Sequence, residues 1–440
     1  MLWRKGRKMQ DIKERVHSYF AEHKNEIYAH LRTLMEFESV TANRECCKKA
    51  LKYVADLADS FGMRATVGKH GDVAVIEIGK GDIAVGILAH VDVVDIGNRS
   101  AWIYEPYTLT EADGKLYGRG VVDDKGAVII SLYAMRFLME AVPEFQKRIQ
   151  LIVGTSEENN WTDMEHYKQE FEAPNYGYSP DGNFPIYNAE NGFMDVVLEF
   201  KQQLPSEYDA FKSGAATNSV PSEAEFRHDG ELRRYMGKAA HSSMPQLGDN
   251  AMIKLAESLK GKGLDFADFI CDFFPPQEYA SLLKLKREKI NIPPEAVLPT
   301  TIVPTVLKQD GRNVNINFNI RQAFDIPNAN IIAAFEEHKE KYHYDIKIAE
   351  SLSPIYMDSN HPWLKRMEAV YESYGRKNEF LSGPGCSYAK ALPNFVCWGP
   401  IFPGDLDCAH MENELITEES FILGAEIYAD YLYGEAVLAE

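Results

Sequence analysis

Apolar runs that break off in histidine or acid constrain this chain more than any other feature. LAHVD carries His90 and GTSEE carries Glu157 and Glu158 at the ends of such runs, while Asp123 and Asp181 stand just past two more. The runs read as strands, and in an α/β sheet the crevice outside the carboxyl ends of the strands is where a ligand pocket forms. His410, in the polar stretch DCAHMENE ahead of a final helix, joins His90, Asp123, Glu158 and Asp181 as the fifth candidate ligand. Two imidazoles and three carboxylates converging there suit a pair of divalent ions. Zinc comes first because it accepts nitrogen and oxygen ligands, with manganese or cobalt as alternatives. A two-metal centre points to hydrolysis.

The rest of the chain fits that frame. Apolar residues at helical spacing (Val16, Phe20, Ile27, Leu31, Leu34) predict an amphipathic opening helix from Ile12 to about Glu36. A second helix is expected from about Cys46 to Phe61. DVAVIEIG and DIAVGILAHVD read as neighbouring strands turned through Gly79–Asp82. The segment from Gly126 to Ala141 is apolar on nearly every face, as in a helix buried against a sheet. RIQLIVGTSEE reads as the next strand, and this cadence predicts an α/β domain with a mainly parallel sheet covered by helices.

The texture changes after Ile186. FMDVVLEF and the long hairpin TTIVPTVLKQDGRNVNINFNIRQAF predict antiparallel strands, with NAMIKLAESLKGKG and about Ala329–Tyr342 as helices. A chain of 440 residues is too long for one ordinary core. The expected division is residues 1–186 plus 353–440 as one discontinuous domain and 187–352 as an inserted α+β domain. A pocket that uses both His90 and His410 requires the first and last segments to fold together.

Composition excludes some partners. A net charge of −19 argues against nucleic acid, whose phosphates want a basic surface. The six cysteines show no CxxC spacing and read as reduced thiols of a cytoplasmic protein. The N-terminus MLWRKGRKMQ is basic, but no apolar stretch follows it, so no secretory signal is expected; Met1 and Met9 both remain possible starts. No run approaches the roughly 20 apolar residues that span a bilayer, so a membrane is not an expected partner.

Each polar motif has a plainer reading when taken singly. Alternation along LAHVDVV puts His90 and Asp92 on one strand face, where a carboxylate can accept the second ring N–H of a ligating imidazole. The same spacing also arises as a chance polar pair. In LYGRGVVDDKGA, Asp123-Asp124 opens the buried helix and reads as a cap, although capping needs one acid and two beside a sheet end are costly without a cation. Glu157 and Glu158 point in different directions, so one can bind metal while the other takes a proton from metal-activated water, or the pair is a solvated acidic loop. Asp181-Gly182 is turn chemistry by default, and a lone loop histidine such as His410 is usually just exposed.

Together, His90-Val-Asp92, Gly118-Arg119-Gly120 with Asp123-Asp124-Lys125-Gly126, Glu157-Glu158, Pro180-Asp181-Gly182 and His410 resemble, in order, the motifs of the M20 metallopeptidase family. The chain is most similar to its dinuclear-zinc dipeptidases of the PepV and carnosinase-like type, over about residues 12–435. The resemblance implies roles. Asp123 would bridge two metals, with His90 and Asp181 completing one site and Glu158 and His410 the other. Glu157 would be the general base and Asp92 the partner of His90. The Asp123–Asp124 peptide would be cis, and the inserted domain would be a lid. There, YMGKAAHSSMPQLGDNA resembles the segment whose histidine, here His241, stabilises the oxyanion. Asn218 and Arg321 match lid positions that hold substrate carboxylate or oxyanion. The planar fork of Arg321 suits that task, although a salt-bridged edge arginine is the plainer reading.

Two departures from the family pattern stand out. Ser156 occupies the place where an acid often precedes the glutamate pair. The glycine-rich carboxylate-binding turn becomes Gly383-Pro384-Gly385-Cys386-Ser387-Tyr388, in which Pro384 lacks a backbone donor, so Gly385 and Ser387 are its remaining substrate-binding candidates. The expected activity is cleavage of the amide bond of a dipeptide by a monomer or homodimer. An N-acyl-amino-acid amidohydrolase with the same centre is the alternative within enzymes, and a non-catalytic binding protein is the alternative outside them.

Overall fold

The computed structural model describes residues 2–145, 147–276, 281–290, 292–293, 296–384 and 387–437. The chain divides into two units. The first comprises Met1–Asn188, Met357–Leu381 and Ser387–Glu440, and the second Ala189–Tyr356 with Ser382–Cys386.

In the first unit the strand Ala84–His90 runs parallel to Arg148–Gly154 on one side and to Tyr176–Ser179 on the other. Phe395–Trp398 lies parallel beyond Tyr176–Ser179. Val73–Gly79 and Arg64–Val67 extend the sheet in antiparallel fashion past Arg148–Gly154. Every residue of Ala84–His90 is buried, as are all but the first of Arg148–Gly154. Strands covered on both faces read as continuous apolar runs, which is why these segments lack the alternation of half-exposed strands. The strands Val73–Gly79 and Ala84–His90 are not neighbours, contrary to expectation. Arg148–Gly154 sits between them because it pairs with both.

Helices supply the cover. Arg44–Ser60 is capped by Asn43, whose side chain accepts the Cys46 N–H, and buries Cys47, Ala50, Leu51, Val54 and Ala58 at helical spacing. Lys125–Ala141 is buried on nearly all sides and packs against Leu2–Met35, Glu418–Val437 and the central strand. Fully burying a leucine or isoleucine stabilises by roughly 1.5–3 kcal/mol, so the Val128–Leu132 stretch, with Val128, Ile129, Ile130 and Leu132 at zero exposure, anchors the helix firmly. Gly126 lets that helix start where it does, since a Cβ there would lie 2.1 Å from the Val121 carbonyl. The helix therefore begins close behind the loop that carries Asp123.

The second unit is built on an antiparallel sheet, seven-stranded among the described residues. Its order is Glu231–Met236, Glu223–His228, Tyr208–Ser213, Thr301–Asp310, Asn313–Gln322, Gly192–Phe200 and Tyr344–Leu352. The expected hairpin closes with Asp310 opposite Asn313, around Gly311 at φ +60°. Alternate residues Met194, Val196, Leu198 and Phe200, with Ile316, Phe318 and Ile320, share one core with Ala251–Leu259, Asp265–Phe273 and Phe335. The helix expected over Ala329–Tyr342 forms as two pieces, Asn328–Glu336 and Lys339–Tyr342.

Candidate metal centre

The first unit brings the five ligand candidates together. His90 ends the central strand, and its Nε2 lies 3.0 Å from Asp123 Oδ1 and 3.9 Å from Asp181 Oδ2. His410 Nε2 lies 2.8 Å from Asp123 Oδ2 and 3.0 Å from Glu158 Oε1. Two sets with metal-ligand spacing result, His90–Asp123–Asp181 and Asp123–Glu158–His410, and Asp123 belongs to both. One carboxylate thus turns an oxygen to each set.

The electrostatics show what these groups need. Asp123 is buried and Glu157, Glu158 and Asp181 are part-buried, beside two imidazoles of which His90 is buried and His410 is exposed. Burial, and then the charge of Asp123, pushes Asp181 up to about 7. Burial, and then Asp181, pushes Glu157 well above the usual carboxylate range. Burial alone would raise Asp123 too, but the bonds from His410 and His90 hold it low. His90 Nε2 and Asp123 Oδ1 are both buried and face each other at 3.0 Å. Crowded carboxylates with an imidazole nitrogen aimed among them are costly unless a cation compensates them. The nitrogen and oxygen donor set fits two divalent ions of the zinc type.

The neighbouring contacts decide between the plainer readings of several motifs. Asp124 stands at the N-cap of Lys125–Ala141, yet its side chain makes no capping bond; Oδ2 instead accepts the His90 N–H at 3.1 Å. The Asp123–Asp124 peptide is cis. His90 Nδ1 makes its shorter contact, 2.9 Å, to the main-chain oxygen of Asp92, with Asp92 Oδ1 at 3.4 Å. The Asp92 carboxylate also accepts the Thr41 hydroxyl at 2.8 Å and the N–H groups of Glu157 and Glu158 at 3.2 and 3.3 Å. Asp92 therefore holds the acidic loop as well as facing the imidazole.

Several residues of this centre escaped sequence reasoning. Asp163 accepts the N–H groups of Thr155 and Ser156 and the Tyr388 hydroxyl. Tyr388 is fully buried and sets its ring edge-on to His90, with centroids 6.0 Å apart at 85°. Trp161 packs on Tyr388 and donates its indole N–H to the Glu157 carbonyl at 2.8 Å. Asp163 stands in the first turn of Thr162–Glu170, where an acid is ordinary, and nothing in the local sequence sets it apart.

Asn218, His241 and Arg321 belong to the second unit. Ser219 pairs with His241, and Asn218 O accepts the Ser242 N–H at 2.9 Å, so Asn218 stands just before the strand that pairs with the one carrying His241. His241 Nδ1 lies 2.7 Å from Ser243 Oγ. Arg321 lies on a strand paired on both sides, opposite Thr301 and Phe193, which removes the edge-arginine reading. It is 5% exposed, and its guanidinium lies over the Phe193 ring at 4.8 Å. Beneath these residues Asp195 accepts from Asn319, which in turn accepts the Ser242 hydroxyl at 2.7 Å. Ser387 stands at the N-cap position of the short turn Tyr388–Ala391 in the first unit. Gly385 and Cys386 lie outside the described residues.

The model of the peptidase family M20/M25/M40 matches residues 86–434. A curated Bacillus subtilis (strain 168) protein named "Putative dipeptidase YtjP" is 29% identical over 425 residues, covering 87% of this chain and 89% of its own length. The solved structure of the dipeptidase Dug1p from Saccharomyces cerevisiae aligns with a TM-score of 0.66 at 15% identity, over 98% of this chain and 99% of that one. Human carnosine dipeptidase 1 aligns with a TM-score of 0.63 at 16% identity, over 97% and 99% of the two chains. At such identities the structural likeness speaks for the fold.

Proposed function

This chain belongs to the peptidase family M20/M25/M40, a family of metal-dependent hydrolases, and from that premise we propose that it cleaves the amide bond of dipeptides, with Glu157 as general base. The observation that carries the reading is the sharing of Asp123 between two ligand sets, with the Glu157 backbone tied to the same loop as Glu158. His90, Asp123 and Asp181 would hold one ion, and Asp123, Glu158 and His410 the other. When bound, two divalent ions, zinc by the donor set or manganese or cobalt, supply a water of lowered pKa and polarise the substrate carbonyl.

The chain's own residues do the rest. Glu157 takes the proton of the attacking water and passes it to the leaving amine, which balances the hydrolysis without a further acid. Asp92 keeps the Glu157 and Glu158 backbone in place while its carbonyl fixes the His90 tautomer that leaves Nε2 as the ligand atom. In the same reading His241 stabilises the developing oxyanion, and Asn218, Arg321, Gly385 and Ser387 hold the substrate carboxylate or oxyanion. The relatives' names support a small peptide as substrate. A monomer or homodimer in the cytoplasm fits the cysteine usage, and no described helix is long and apolar enough to cross a membrane.

The test is Glu157→Ala assayed for both turnover and metal content. The reading expects turnover to vanish while two equivalents of metal remain bound. Near wild-type turnover in that variant would remove Glu157 from the role of base.

A further inference from the structure

Glu414 lies four residues beyond His410 and is fully buried. Its Oε1 accepts the N–H groups of Val122 at 2.9 Å, Gly120 at 3.1 Å and Asp123 at 3.2 Å. Its Oε2 accepts Arg119 Nη1 at 2.6 Å and also approaches the Gly120 N–H at 3.1 Å. The main-chain oxygen of Glu414 takes the Gly118 N–H at 3.0 Å. The two remaining N–H groups of the loop go elsewhere, Arg119 to Pro106 O and Val121 to Gly118 O. So Glu414 accepts four of the six backbone N–H groups from Gly118 to Asp123. Gly120, at φ +90°, bends the loop around it in a conformation that side-chain-bearing residues rarely adopt.

A buried carboxylate is costly unless its lone pairs are filled, and here an arginine and three backbone donors fill them. Arg119 is buried as well, over the Trp102 ring at 5.4 Å, with Nη2 directed to Asp95 O at 3.3 Å. The arrangement ties two metal-ligand segments into one rigid piece. Asp123 sits at one end through its own N–H, and His410 lies four residues back along the chain from Glu414 at the other.

We propose that Glu414 is a positioning residue for the metal centre, setting the backbone of the shared ligand Asp123 relative to the loop of His410. The proposal rests on the reading of the five residues as a metal site. A merely structural carboxylate would stabilise the fold without touching metal affinity. Glu435 provides that comparison in the same unit, since it is equally buried and paired with Lys147 and Arg366.

The experiment measures cobalt(II) affinity by chelator competition and the visible cobalt spectrum in wild type, Glu414→Gln, Arg119→Lys and Glu435→Gln, with thermal unfolding of each metal-free form. Glu414→Gln keeps the side chain's size but cannot serve both the loop and the guanidinium, so affinity should fall about 10–100-fold with an altered spectrum. Arg119→Lys, a milder lesion of the same ion pair, should weaken binding several-fold and keeps the test open if the Glu414 variant does not fold. Glu435→Gln should lower the unfolding temperature and leave cobalt affinity and spectrum as in wild type. Unchanged affinity in both loop variants, or an equal loss in Glu435→Gln, overturns the proposal while leaving the metal site standing. A wild type that takes up no cobalt overturns the metal-site reading and this proposal with it.

Discussion

Asp92 and Asp163 divide four consecutive backbone N–H groups between them: Asp163 accepts those of Thr155 and Ser156 at 2.6 and 2.8 Å, and Asp92 those of Glu157 and Glu158 at 3.2 and 3.3 Å. The turn that ends the strand Arg148–Gly154 is thus fastened by two carboxylates from different segments. Hydrogen bonds to an ionised acceptor are about twice as strong as neutral ones. Glu157 and Glu158 therefore start from a fixed backbone, as the proposed base and ligand on adjacent residues require.

Asp163→Asn should loosen that turn without removing any group placed at the metals. We expect kcat to fall roughly 10–100-fold with the variant still folded, the range typical when a group supporting a metal site is lost. Steady-state kinetics with metal analysis checks this. An unchanged kcat would mean that the Asp92 contacts hold the turn alone.

Removing metal should destabilise the first unit, because the acidic cluster then loses its compensation. A ligand at 100 times its dissociation constant stabilises the folded state by about 2.7 kcal/mol. Thermal unfolding of chelator-stripped protein should therefore begin several degrees lower and recover in proportion to added zinc.

Burial pushes Asp430 up to about 6, with Lys13 opposing the shift. The folded state then binds the proton more tightly than the unfolded chain, whose carboxyl titrates near 3.8. Stability contributed by this group is present below about pH 4 and is lost as pH rises to about 6. Asp430→Asn should remove the loss, making the variant more stable than wild type at pH 7 by an amount on the order of 1–3 kcal/mol. Urea midpoints of both proteins at pH 4, 5, 6 and 7 measure the difference.

Glu435 behaves in the opposite sense. Burial alone would raise it, but bonds from Arg366, Lys147 and Tyr176 hold it below the usual carboxylate range. Its stabilisation is complete above about pH 4.5 and is lost as pH falls. Glu435→Ala leaves two cations without their shared partner and should cost about 3–5 kcal/mol at neutral pH, read from denaturant unfolding.

The sequence spoke most clearly where chemistry and chain geometry coincide. His90, Glu158 and Asp181 each have a plain structural reading when taken singly and stand out only through their order along the chain, whereas Asp123 stands out because a second adjacent acid exceeds what a cap needs; the structure brings all four together with His410. Glu414, Asp163 and Tyr388 were not readable. Each lies in polar sequence where an acid or tyrosine is ordinary, and its importance arises from burial against distant backbone. The insertion of Arg148–Gly154 between two strands taken as neighbours has the same origin, since pairing partners far apart in the chain leave no local trace. Arg321 was intermediate. Its oddness in an apolar strand was visible, but its place over Phe193 on a doubly paired strand was not.

The most direct test of the central claim is hydrolysis of a panel of dipeptides and N-acyl amino acids by chelator-stripped protein, with and without added zinc, manganese or cobalt. Metal-restored cleavage of the dipeptides is the predicted result. Cleavage confined to the acyl substrates would contradict the dipeptidase reading in favour of an amidohydrolase, and silence across the panel with metal bound would contradict catalysis itself.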